Sequence, residues 1–371
     1  MRDIPEIVIV GAGIGGCIAA IALAPYYRVM LIDKYAAPQA KVGECLAPAA
    51  SRILHKLGLS SLLEQGHLQS HGILSYWGSN EPSIADNLPN PDGLGWHLDR
   101  QLFETQLREA AKQRGVKCVW PAQLIDAAKT TSGWTVQIQT AEAYMCINPM
   151  LLIDATGRQS ALARVLGAER HSDDRLISLW LTALVTVQKQ LSVLSHTERG
   201  WWYSAPLPTL PDVAMTGAAA NVPYLNLGPS IAKPRLFAWQ VMAPEFDKTV
   251  AHCPQAFLEA ASLVPGFSTL VDQVVPGSAT LHGIVAANSA RLEQVAGAGW
   301  FAIGDAALCF DPLSSQGMFN AMATAMQLAD LLIEYGLSDP QTTPAYQQQL
   351  DNIWRHYLRH RQFYYGLAVQ A

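Results

Sequence analysis

Gly11, Gly13 and Gly16 stand in the spacing Gly-x-Gly-x-x-Gly directly behind the apolar run Ile7-Val8-Ile9-Val10, and Asp33 closes the next apolar run. Each glycine has its own physical task. The first permits a tight turn, the second lets the backbone approach a pyrophosphate, and the third lets a helix pack on a strand. A helix starting here offers unpaired N–H groups to phosphate, and a carboxylate at Asp33 can hold a ribose hydroxyl. The expected contacts to a dinucleotide are therefore Gly11, Ala12, Gly13, Ile14, Gly15 and Gly16, with Asp33 and its neighbour Lys34.

A second constellation lies near the other end of the chain. Gly304-Asp305-Ala306-Ala307 follows the apolar run Trp300-Phe301-Ala302-Ile303 and leads through Asp311-Pro312-Leu313-Ser314-Ser315-Gln316-Gly317 into a helix. An aspartate at a strand end can bind a polyol hydroxyl, and the free N–H groups of a helix start can face the electron-rich pyrimidine edge of a reduced flavin. Gly304, Asp305, Pro312, Gln316 and Gly317 therefore turn a generic dinucleotide reading into FAD.

Five side chains are candidates for chemistry: Glu44, His97, Trp201, Tyr203 and Pro312. Glu44 is either an acid or base near the flavin or a turn carboxylate bonded to backbone. His97 can transfer protons, but the ordinary expectation is a core histidine with its ring nitrogens satisfied. Trp201, Trp202 and Tyr203 either line an aromatic pocket or fill a sheet core, since neighbouring strand residues face opposite sides. Cys45 is expected to be a buried thiol rather than a point of covalent attachment.

The elements that must position these residues follow from periodicity. Ile7 to Val10, Val29 to Ile32, Met150 to Ile153 and Trp300 to Ile303 are unbroken apolar runs, expected as strands buried on both faces. Ile14, Ile18, Ala19 and Ala22 recur at helical spacing up to Pro25, giving a βαβ unit. Helices are expected over about 47–57, from Arg100 to Lys112 with Asp99 as cap, from Gly317 to Tyr335, and from Tyr346 to Tyr365. Val116 to Ile147 is expected as a small antiparallel meander, and 173–283 as a region of alternating strands. The expected division is a discontinuous FAD-binding domain at 1–172 and 284–335, a β-sheet substrate domain at 173–283 joined by part of 65–98, and a C-terminal helical tail at 336–371.

Composition sets the remaining bounds. The chain has 371 residues, half of them hydrophobic, enough for one large core or two smaller ones. A formal charge of −5 with only 15% charged residues argues against a nucleic-acid partner, which needs clustered Lys and Arg. The six cysteines form no CxxC pair and have no histidine at metal-ligand spacing, so they are expected as buried thiols in a reducing compartment. No metal and no membrane span is expected, and the location is expected to be cytoplasmic. The tail cluster Arg355, His356, Arg359, His360 and Arg361 is expected to be a solvated helix face.

Taken together these motifs resemble the flavoprotein monooxygenase and flavin-dependent halogenase superfamily, with a p-hydroxybenzoate hydroxylase type of fold, over essentially the whole chain. The resemblance implies an α/β fold: a Rossmann-like FAD-binding domain, a mixed β-sheet substrate domain and C-terminal helices. It further implies that Arg100 approaches FAD, that Asp154 and Gly157 of Asp154-Ala155-Thr156-Gly157-Arg158 lie beside the adenosine, and that Met318 contacts the flavin ring after Gly317. Lys41-Val42-Gly43-Glu44-Cys45-Leu46-Ala47-Pro48 resembles the Gly-Glu-x-x-x-Pro stretch near the isoalloxazine, which adds Lys41, Gly43 and Glu44 as expected cofactor neighbours.

Two departures argue against halogenation. No lysine occurs between Lys56 and Lys112, where halogenases use one, and their Trp-x-Trp-x-Ile-Pro motif is reduced to Trp201-Trp202-Tyr203-Ser204-Ala205-Pro206. The chain is most similar to the LodB/GoxB-like flavoproteins, encoded with quinone-cofactor amine oxidases. That likeness implies a monooxygenase that uses O2, through a flavin C4a-hydroperoxide, to hydroxylate a tryptophan of a partner amine oxidase precursor on the way to cysteine tryptophylquinone. NAD(P)H or a separate reductase would supply electrons. A small aromatic substrate, a prenyl reductase and a flavin-fold binding protein without activity are the alternatives.

Overall fold

Four short segments, apolar but for Asp154 at the end of one, sit side by side because none has a polar face to show to water. In the computed structural model, which describes residues 4–79, 81–187, 189–210 and 232–369, Trp300–Ala302, Leu151–Asp154, Ile7–Val10 and Val29–Ile32 are neighbouring parallel strands. Lys117–Val119 extends this sheet beyond Val29–Ile32, also in parallel, and Ala296–Gly297 closes the other edge antiparallel. Burial on both faces explains the continuous apolar runs.

The structure corrects the expectation for Val116 to Ile147. Only Ala122–Thr130, Gly133–Thr140 and Tyr144–Ile147 form the antiparallel meander. Lys117–Val119 belongs to the parallel sheet instead, because its backbone completes the free edge of Val29–Ile32 and Ala122 N donates to Asp33 O at 2.7 Å. The helix expected over 47–57 is the shorter Ala50–Lys56. Cys146, expected to be buried, is exposed on the outer strand of the meander, where alternation turns it to solvent.

Four helices matter for the site. Ile14–Leu23 is buried almost all round and packs behind the parallel sheet. Arg100–Gln113 starts at Asp99, whose carboxylate accepts Leu102 N, and presents Phe103, Leu107 and Ala111 inward. Gly317–Tyr335 packs on Ile14–Leu23 closely enough that a Cβ on Gly15 would lie 3.2 Å from Ala321 O. Thr342–Val369 is the long C-terminal helix.

The second sheet has seven strands in the order Thr280–Ala286, Leu176–Val185, Lys233–Met242, Gly200–Pro206, Ser192–Thr197, Gly72–Tyr76 and Ser83–Asp86. All neighbours are antiparallel except Ser192–Thr197 with Gly72–Tyr76. Within the region 173–283, residues 188 and 211–231 lie outside the described residues. Strand alternation gives this sheet two apolar faces. Leu179, Leu181, Trp202, Phe237 and Trp239 pack under the helix Pro254–Ser262, with the Trp202 and Trp239 rings stacked at 5.5 Å. Trp180, Leu207, Leu236 and Ala238 face the other way, towards Val42 and Tyr203. Among the described residues no helix is long and apolar enough to cross a membrane.

Candidate active site

The carboxyl ends of the parallel strands converge. Gly11 follows Val10, Ala155 follows Asp154, Gly304 follows the Trp300–Ala302 strand by two residues, and Asp33 follows Ile32, so one crevice runs along the sheet edge where α/β folds bind ligands. Gly11 has φ +108, and a Cβ there would lie 2.3 Å from Ala155 O. A Cβ on Gly16 would lie 1.8 Å from Gly11 O, so only glycine lets the helix start this close to the strand. Gly13 differs: nothing lies within 4 Å of its would-be Cβ, and its open side is where a pyrophosphate can approach.

The two helices that face the crevice begin without side-chain caps. Gly13 ahead of Ile14–Leu23 and Gln316 ahead of Gly317–Tyr335 make no capping bond, and neither first turn carries an acid. Both therefore present positive partial charge and free N–H groups. The glycine cradle, the open face of Gly13 and these two helix starts fit a dinucleotide such as FAD. Gly317 is exposed, Met318 buried, Gln316 exposed and Pro312 exposed at the head of the loop. Ser315 in that loop has φ 50, a left-handed conformation uncommon for a residue other than glycine.

Other expected residues have partners that define what they do. Asp33 accepts Ala12 N at 2.7 Å and Tyr35 N at 2.8 Å, and pairs with Arg108 at 3.2 Å. Lys34 lies over the Tyr35 ring. Asp154 is fully buried, accepting Thr156 N, Thr156 Oγ1 and Ala163 N, with its pKa raised by burial. Its carboxylate thus holds the turn that carries Thr156 and Gly157 and offers no face to a ligand. Gly304 N donates to Thr324 Oγ1, while Asp305 is part exposed with Arg158 3.8 Å away.

Arg100 and Lys41 share one buried carboxylate. Arg100 Nη2 reaches Glu104 at 2.8 Å and Arg100 Nη1 reaches Gly43 O at 2.6 Å, while Lys41 Nζ lies 2.8 Å from Glu104. Burial acts to raise the Glu104 pKa, but Arg100 and Lys41 outweigh it and hold the carboxyl below its usual range. Neither Glu104 nor Arg108 was expected at the site. The signal was available: Arg100, Glu104 and Arg108 are spaced by four along one helix and so share a face.

Glu44, His97 and Tyr203 come together in the interior. Tyr203 Oη donates to Glu44 Oε1 at 2.8 Å, Ser192 Oγ lies 3.3 Å from Tyr203 Oη, and His97 Nδ1 lies 4.0 Å from Glu44 Oε1. Burial raises the Glu44 pKa and, with the Glu44 charge, pushes Tyr203 well above its usual range. The expected satisfied histidine is corrected here. His97 is wholly buried, yet neither ring nitrogen has a partner, and burial followed by the Arg235 guanidinium pushes its pKa down to about 4. Its strand lies between Cys45–Leu46 and Leu68–Ser70 in a three-stranded sheet.

Trp201, Trp202 and Tyr203 divide as strand geometry requires. Trp202 is core, whereas Trp201 Nε1 donates to Tyr365 Oη at 3.1 Å, and Tyr365 Oη donates to Asp311 Oδ2 at 2.6 Å. Arg361 pairs with Asp174 at 2.8 Å and lies 3.8 Å from Asp311, so it leaves the expected solvated face and clips the C-terminal helix to the loop before Gly317. Cys45 is half-buried with its thiol pushed up to about 12 by burial. Between the Lys41–Glu44 segment and the second sheet lies a cavity walled by Val42, Glu44, Leu98, Trp180, Leu207 and Leu236. Its lining also carries Lys41, Asp99, Arg100 and Thr209, so an apolar wall stands beside a charged rim, and the Trp180 indole N–H on that wall is buried without a partner.

Comparison with known proteins agrees with this geometry. The model of the FAD binding domain family matches residues 5–352. The putative FAD-dependent oxidoreductase LodB of Marinomonas mediterranea is 26% identical over 369 residues, covering 95% of this chain and 90% of that protein. The myxobacterial chondrochloren halogenase CndH superposes with a TM-score of 0.81 at 18% identity, over 97% of this chain and 82% of its own. The peptidyl tryptophan dihydroxylase QhpG, essential for tryptophylquinone cofactor biogenesis, superposes with a TM-score of 0.75 at 20% identity, over 98% of this chain and 75% of its own.

Proposed function

The chain belongs to the FAD binding domain family, and from that premise we propose that it is an FAD-dependent monooxygenase that hydroxylates an electron-rich aromatic, a tryptophan side chain of a partner amine oxidase precursor. The observation that carries this reading is the apolar wall of the cavity beside the Lys41–Glu44 segment. Trp180, Leu207, Leu236 and Val42 make an apolar wall that carries the free Trp180 indole N–H and the Glu44 carboxyl, with Lys41, Asp99 and Arg100 at its rim. Such an apolar wall suits aromatic contact with the face of an indole. The likeness in fold to the peptidyl tryptophan dihydroxylase QhpG supports a peptidyl tryptophan as substrate.

When bound, FAD supplies two-electron chemistry and the activation of O2, with NAD(P)H or a separate reductase as the electron source. The protein supplies placement. Gly13 and the start of Ile14–Leu23 would hold the pyrophosphate, Asp33 the ribose, Asp305 the ribityl chain, and the start of Gly317–Tyr335 the flavin edge. Asp311, held by Tyr365, fixes the loop that delivers Gly317. Trp180 and Leu236 orient the ring to be oxidised.

Incubation of the FAD-loaded protein with the oxidase precursor, an electron donor and O2 tests this. The precursor should gain about 16 or 32 Da at one tryptophan, one or two oxygen atoms. An unchanged mass, with turnover of a free aromatic instead, would overturn the peptidyl substrate.

A further inference from the structure

Glu44 lines the cavity, and two further buried polar side chains, Ser192 and His97, stand behind it. Glu44 is 3% exposed, yet it belongs to the cavity lining, and its one side-chain partner is Tyr203. Ser192, fully buried, stands behind Tyr203. His97, fully buried, keeps both ring nitrogens free beside Glu44. The Glu44 carboxyl is held by Tyr203 and by backbone N–H groups of its own turn, but the imidazole beside it is buried without a hydrogen bond, which is costly to the fold. Buried polar groups left incompletely satisfied in a cleft mark a functional site.

We propose that Glu44 is the proton-exchanging carboxyl of this cavity, held in place by Tyr203 and Ser192, with His97 as the positioning residue that receives its side chain when it swings from Tyr203. This rests on the monooxygenase reading above. Hydroxylation of an aromatic by O2 reduces one oxygen atom to water, with two electrons from the reduced cofactor and two from the ring. Glu44 gives its proton to that departing oxygen: its own O–H bond breaks, a new O–H bond forms, and the electron pair stays on the carboxylate. It then takes back the proton that the hydroxylated ring carbon sheds as aromaticity returns, so the carboxyl is restored. The other polar groups of the lining are already engaged: Trp180 only donates, Lys41 and Arg100 pair with Glu104, and Asp99 accepts Leu102 N and Thr209 Oγ1.

The surroundings suit such an exchange. Tyr203, Cys45 and His97 face Glu44 as neutral groups, while Arg100 and Arg235 supply the nearby positive charge, and His71 lies beyond His97. Burial raises the Glu44 carboxyl above its ordinary range, and the Arg100 guanidinium acts in the opposite direction. The gap of 4.0 Å between His97 Nδ1 and Glu44 Oε1 is too long for a hydrogen bond and short enough to close by rotation of the carboxyl.

The test uses the full-length FAD-loaded protein with no aromatic present, so that failure of the substrate reading leaves it intact. Infrared difference spectra of protein labelled with 13C at glutamate carboxyls, taken across pH, should show one protonated carboxyl persisting above the usual glutamate range. That band should be missing in Glu44→Gln and displaced in Tyr203→Phe. Oxidation of the photoreduced FAD by O2 should slow about a hundredfold in Glu44→Gln and lose its pH dependence, with Tyr203→Phe keeping a shifted profile. His97→Gln should move the midpoint of the profile while sparing its plateau. A Glu44 carboxyl titrating in the usual range, or Glu44→Gln with the wild-type pH profile, would overturn the proposal. Should Glu44→Gln fail to retain FAD, the infrared band of the wild-type protein and its displacement in Tyr203→Phe decide alone. Persistence of both with no hydroxylation of any tryptophan would sink the substrate reading and keep the proton-exchange one.

Discussion

Replacing His97 by Phe should make the protein less sensitive to acid. The imidazole is wholly buried and unbonded, and its pKa falls from the ordinary 6.5 to about 4, first through burial and then through Arg235. A folded pKa below the unfolded one means that the stability the neutral ring contributes is complete above the unfolded pKa and is lost as pH falls through 6.5 towards 4. The full interval corresponds to about 3 kcal/mol, of which about 2 kcal/mol is lost by pH ~5. Urea unfolding of wild type and His97→Phe at neutral pH and at pH ~5 reads this directly, and the wild type should lose ~2 kcal/mol more than the variant. His97→Gln, which cannot overpack the site in the same way, serves as the control and should show the same flattened response. Glu44 works in the opposite sense, since its raised pKa contributes stability at low pH that is lost as pH rises, so it cannot mimic the effect. Parallel acid losses in wild type and both variants would refute the reading of His97 as a buried neutral ring.

Three further outcomes separate the roles of the glycines and the supporting network. Gly13→Ala should fold normally, because its Cβ meets no protein atom, yet lose FAD, whereas Gly16→Ala should lose both fold stability and FAD through the 1.8 Å clash with Gly11 O. The flavin-to-protein absorbance ratio together with thermal melts tells them apart, and a Gly13→Ala protein that purifies fully yellow would contradict the pyrophosphate placement. Arg108→Ala removes the partner of Asp33 and donors to Ala12 O and Tyr35 O, and should destabilise by about 3 kcal/mol with weaker FAD binding by fluorescence titration. Tyr365→Phe leaves buried Asp311 without its 2.6 Å donor and should cost about 1–3 kcal/mol in denaturant unfolding; a change below about 0.5 kcal/mol would mean that the C-terminal helix does not hold the loop.

What was legible in the sequence was whatever local periodicity and backbone geometry dictate. The parallel strands appear as unbroken apolar runs because both faces are buried, and Gly11, Gly16 and Gly304 mark turns that a Cβ would block or strain. Asp99 announces the Arg100 helix because capping is a matter of neighbouring residues. The tertiary structure alone decided where long-range partners fall. Lys117–Val119 joined the parallel sheet because an open edge awaited it, not because its own pattern said so. Glu104 gathers Lys41 and Arg100, Arg361 reaches Asp174, and Tyr365 reaches Asp311, through contacts between segments distant in the chain. The candidate acid–base cluster is the clearest case. Glu44, His97, Ser192 and Tyr203 come from four separate strands and loops, and single residues of ordinary type carry no trace in sequence of the burial that shifts their pKa values, since that burial exists only once the two sheets have closed over them.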